Sequence, residues 1–72
     1  MKTDEQLKND VIAELRWEPT VTATDISVCA KNGIVTLNGV VPNETGREKA
    51  ATLAMAVKGV SKVNNYVTVK KG

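Results

Sequence analysis

The side chains of this 72-residue chain that are able to do chemistry are few and scattered. There is no histidine and a single cysteine, Cys29, so neither a structural zinc site nor an internal disulfide can be assembled. General acid–base catalysis needs a histidine or paired carboxylates in a cleft, whereas Glu5, Asp10 and Glu14 fall at helical positions that face solvent. Gly33, Gly39 and Gly46 are spread over a hairpin and a helix start, so they do not make one phosphate-cradling turn. A sheet that reads RNA asks for aromatic platforms on adjacent strands, and Tyr66 alone does not supply them. No catalytic, cofactor or metal set is expected. What remains is electrostatic. The net charge of +2 is too small to argue for nucleic acid, but it is unevenly spread. Residues 1–36 hold four basic and six acidic side chains, and residues 37–72 hold six basic and two acidic. The surplus collects at a basic end formed by Lys58, Lys62, Lys70 and Lys71, plus Arg47 and Lys49 on the expected second helix. Such a set reads either as a solvated surface or as a docking patch for anionic lipid or an acidic partner.

The segment that must position these residues is 25–41, where two runs of strand-forming residues flank Asn32-Gly33. That dipeptide suits a two-residue type I′ turn, which needs φ > 0 at both central positions. Counting outward pairs Lys31 with Ile34, Ala30 with Val35, Val28 with Leu37 and Ile26 with Gly39. One face is then apolar, while the other carries Cys29 opposite Thr36 and Ser27 opposite Asn38. A slip of one residue would bury the wrong set. Gly39 takes an inward position in a strand, which predicts a close approach by the backbone or a large residue of a helix, with a ligand contact as the alternative.

Ahead of the hairpin, Thr3-Asp4-Glu5-Gln6 fits a capping box, and Leu7, Val11 and Leu15 form an apolar stripe at helical spacing. Pro19 ends this helix near Trp17 by pushing Glu18 out of the α region. Trp17 then reads as a lid over the core edge or as an interfacial anchor at a membrane headgroup level. Thr20–Thr24 is a short connector. After the hairpin, Asn43 is a good N-cap, with Thr45-Gly46-Arg47-Glu48 offering a start two residues later. The inward stripe is Gly46, Ala50, Leu53, Ala54 and Val57, whose small members allow close approach to a neighbour. Gly59 is expected at the C′ stop, in a left-handed conformation. A third strand follows over Lys62–Lys70, with Val63, Val67 and Val69 inward. Asn65, also inward, is expected to pin a loop or strand end by hydrogen bonds.

The order helix–strand–strand–helix–strand predicts an α+β, two-layer αββαβ domain spanning 1–72, with its core over about 4–70. Both helices should pack on one face of a three-stranded mixed sheet, the third strand parallel to the second through a right-handed crossover. The other sheet face stays open and displays Ile34, Val40 and Tyr66 among polar residues, a plausible contact surface for a partner. No apolar run is long enough to span a bilayer, and Met1-Lys2 is not followed by a secretory h-region, so the chain as written is expected in the cytoplasm.

With these positions assigned, the chain resembles the BON domain, a small module of bacterial osmotic-stress and cell-envelope proteins. The resemblance rests on Leu7, Val11 and Leu15, on Ile26-x-Val28, and on Asn32-Gly33-Ile34-Val35-Thr36-Leu37-Asn38-Gly39-Val40-Val41. It continues through Arg47-x-x-Ala50, Gly59-Val60-x-x-Val63 and Asn65-x-Val67-x-Val69. It implies an αββαβ fold and a non-enzymatic role: attachment to phospholipid membranes or interaction with envelope proteins, often through tandem copies. It also implies the periplasm or cell envelope as an alternative location. Asn32, Gly33, Gly39, Gly59 and Asn65 carry over as fold-determining positions. Lys58, Lys62, Lys70, Lys71 and Trp17 are the residues expected to meet anionic headgroups. The competing expectation is a protein–protein interaction module using the open sheet face or an edge strand.

Overall fold

The structure, a computed structural model, describes residues 2–18 and 25–70. The Asn32-Gly33 turn organises it. Asn32 and Gly33 hold φ of 52° and 82°, the left-handed pair that the two-residue turn requires. Strands β1 (Ile26–Lys31) and β2 (Ile34–Val41) pair antiparallel in the register counted from the turn, from Lys31↔Ile34 to Ile26↔Gly39. Val28, Val35, Leu37 and Val41 are consequently all buried on one face.

Helix α1 (Asp4–Arg16) starts where the capping box places it. Thr3 Oγ1 accepts from the Gln6 N–H at 3.1 Å, and Gln6 Oε1 accepts from the Thr3 N–H at 3.0 Å. Its stripe of Leu7, Val11 and Leu15 is buried. For α2 (Glu44–Ala56), Asn43 rather than Thr45 is the cap, its Oδ1 accepting from the Gly46 N–H at 3.0 Å. Gly46, Ala50 and Ala54 are fully turned inward, while Leu53 is only partly buried against the core. The helix ends a little earlier than Gly59 suggested: Val57 is already extended and inserts its side chain into the core. Gly59 does adopt a positive φ of 104°, but in the loop beyond the cap.

Strand β3 (Lys62–Val69) lies parallel to β2, giving the sheet order β1-β2-β3. α1 packs on β1 and α2, and α2 packs on β3 and β2, so both helices share one face of a mixed α+β sheet. The aliphatic core lies between the layers.

Two positions were assigned the wrong neighbour. Gly39, at φ 147°, is not approached by a helix. A Cβ there would lie 2.0 Å from the Asp25 carbonyl oxygen and 2.9 Å from Ile26 Cα, so the crowding comes from the backbone entering β1. Trp17 is not a lid. It is 86% exposed, because it lies about 120° around the helix from Val11, the middle of the buried stripe. Asn65 pins more than a strand end. Its Nδ2 donates to the Arg47 carbonyl oxygen in α2 at 3.1 Å, and its Oδ1 accepts from the Val67 N–H at 3.2 Å. The Thr20–Thr24 connector lies outside the described residues.

Candidate functional site: the open sheet face and its lysines

The chain direction defines two ends. At one, the hairpin turn is a junction. Asp4 Oδ1 accepts from the Asn32 N–H at 3.0 Å, and the Gly33 carbonyl oxygen accepts from the Ser61 N–H at 2.8 Å and from Ser61 Oγ at 3.0 Å. Lys2 joins it, pairing with Asp10 and donating to the Lys58 carbonyl oxygen at 3.0 Å. At the other end lie Trp17, Asp25, Pro42 and Lys70, whose N–H donates to the Val41 carbonyl oxygen at 2.8 Å.

This geometry divides the predicted basic set. Lys58, in the loop after α2, and Lys62, at the start of β3, share the turn end. Lys70 is one strand length away, roughly 26 Å at the usual rise per residue. Lys71 lies outside the described residues. Trp17 shares the far end with Lys70 but belongs to the helix layer. What relates Lys62 and Lys70 is the alternation of β3, which Lys70 continues one residue past the strand through its N–H bond to the Val41 carbonyl oxygen. Even-numbered residues of β3 point away from the helices, and so do those of β2.

The open face reads in rows set by the two registers. Lys31, Ile34 and Lys62 form the first row, Cys29, Thr36 and Asn64 the second, and Ser27, Asn38 and Tyr66 the third. Val40 and Thr68 complete the face, where Thr68 Oγ1 donates to the Gly39 carbonyl oxygen at 3.2 Å. Lys31 had not been singled out. It was legible in the hairpin register, but its approach to Lys62 depends on the β2–β3 register, which no turn fixes. Among the described residues none of these lysines has an ion-pair partner; the ion pairs are Lys2–Asp10 and the exposed Glu44–Arg47.

In chemical terms the face can attract anions and cover a partner. Among the described residues no polar or charged residue is buried, and no group of three or more His, Cys, Asp or Glu side chains converges. No described helix is long and apolar enough to cross a membrane. The sequence matches the family model of the BON domain over residues 3–71, essentially its whole length. The chain belongs to the BON domain family. BON domains are in general non-catalytic binding modules, associated with membrane or protein interaction. No curated protein matches this BON domain closely enough to narrow its role.

Proposed function

We propose that this BON domain is a non-enzymatic binding module that attaches to an anionic phospholipid surface, in the envelope or osmotic-stress setting its family suggests. The observation that carries the reading is that Lys58, Lys62 and Lys70 are exposed and have no carboxylate partner among the described residues. Unpaired ammonium groups keep their full attraction for headgroups, at about 1 kcal/mol per lysine close to a charged membrane. A handful of them gives weak, salt-sensitive attachment, well short of a stable anchor. Co-sedimentation with anionic and neutral vesicles at low and high salt tests it. Binding is expected only to anionic vesicles, and it should be lost at high salt and on neutralising those lysines.

The second reading, a protein-interaction module, draws on the exposed apolar residues Ile34, Val40 and Tyr66. Absence of vesicle binding under every condition abandons the lipid reading. A pull-down with sheet-face variants is then the deciding measurement.

A further inference from the structure

The charge of the molecule is divided between its two layers. Six of its eight carboxylates lie on the two helices, with four cations beside them. The three strands carry no carboxylate, and the uncovered face holds Lys31, Lys62 and Lys70. Two acids border the face: Asp4, whose Oδ1 accepts from the Asn32 N–H at the turn, and Asp25, which precedes β1 at the far corner beside Val40. In front of an anionic plane such an arrangement is a dipole that turns the sheet toward the membrane and the helices away. The first row adds a contact detail. Lys31 and Lys62 flank the 39%-exposed Ile34, two strand spacings apart, or about 10 Å. Tyr66, 62% exposed, stands on the same face and has the amphipathic ring suited to the headgroup region.

We propose that the open sheet face is the membrane-contacting surface of this domain, docked flat with Lys31, Lys62 and Lys70 on headgroup phosphates and Ile34 and Tyr66 at the interface. The proposal rests on the lipid reading above and goes beyond it by assigning the surface and its orientation. It leaves Trp17 out of the contact, because that ring sits at the end of α1 in the opposite layer.

The experiment exploits the fact that Trp17 is the single tryptophan. Vesicles of phosphatidylglycerol and phosphatidylcholine, with and without brominated acyl chains, are titrated at low salt into the native chain, into a Trp17→Phe/Tyr66→Trp variant and into two charge-matched triple variants. The native emission is expected to stay unquenched on binding, while the emission from position 66 shifts to the blue and is quenched. Lys31→Gln/Lys62→Gln/Lys70→Gln should weaken binding roughly a hundredfold, while Lys8→Gln/Arg47→Gln/Lys49→Gln should weaken it far less. Far-UV circular dichroism checks that each variant is folded. If the native chain binds no anionic vesicle, the lipid reading falls and this proposal with it. Binding that persists in the sheet variant and disappears in the helix variant, or quenching of Trp17 with position 66 silent, overturns the orientation alone.

Discussion

Replacing Gly39 with alanine attacks the structure where two backbones come closest. The new Cβ would lie 2.0 Å from the Asp25 carbonyl oxygen, more than an ångström inside van der Waals contact, and the obstacle is main chain that cannot rotate aside. The φ of 147° adds strain of about 1–3 kcal/mol for a residue with a side chain. To relieve the overlap, the start of β1 must lift from β2 at the Ile26↔Gly39 pair. Ile26, which is buried, then loses part of its contact with the core, and full exposure of such a side chain costs about 1.5–3 kcal/mol. Together these predict a loss of about 3–5 kcal/mol, against a total stability of roughly 4–11 kcal/mol for a chain of this size. Gly33→Ala is the internal comparison. Its Cβ would meet Ser61 Oγ at 3.0 Å, which can turn away by giving up its bond to the Gly33 carbonyl oxygen, and the Gly59 carbonyl oxygen at 3.3 Å. That is a far milder approach than at Gly39, so strain at φ 82° dominates and the loss should be about 1–2 kcal/mol. Urea unfolding followed by far-UV circular dichroism measures both; Trp17 is too exposed to report on the core. With a slope near 1 kcal/mol/M, about 3 M or more should separate the Gly39→Ala midpoint from the native one. A shift below 1 M, or one smaller than that of Gly33→Ala, would refute the backbone-contact account of Gly39.

Three further outcomes follow from the same contacts. Asn65→Ala removes the hydrogen bond to Arg47 that ties α2 to β3 and the local one from the Val67 N–H, and should cost about 1–3 kcal/mol, with faster hydrogen exchange at the Val67 amide as its local signature. Thr3→Ala breaks the capping box of α1 and should lower stability by about 0.5–2 kcal/mol in the same urea assay. Trp17→Ala should leave the midpoint within about 0.5 kcal/mol of native, since the ring covers nothing buried; a larger loss would restore its reading as a lid.

The hairpin was legible in the sequence because its information is local: a dipeptide sets the turn, and the turn sets six residue pairs. The same holds for the two helix starts, where Thr3 and Asn43 act on amides three residues away. Gly39 was recognised as crowded, but its neighbour was not. The backbone at Asp25 comes against it through pairing across the hairpin, and helix packing was the more familiar cause. Trp17, about 120° around α1 from Val11, is near enough to the stripe for a long ring to fold back over the core edge, and only the structure shows that it turns to solvent. The candidate site was legible in composition only. Lys62 and Lys70 are adjacent in a list of basic residues yet stand at opposite ends of a strand. Lys31 drew no attention because its partnership with Lys62 passes through β2.

The two described ends of the chain leave from opposite poles: Lys2 at the turn junction, Lys70 beyond the last pair of the parallel ladder. Whereas a pull at Lys2 would act on α1, which no ladder holds, a pull at Lys70 would run along β3 and drag it lengthwise past β2. In that geometry the slanted bonds of the ladder bear the load together, where a peeling pull would break them one by one. Under such tension the β2–β3 ladder is the stronger attachment and the packing of α1 on β1 and α2 the weaker.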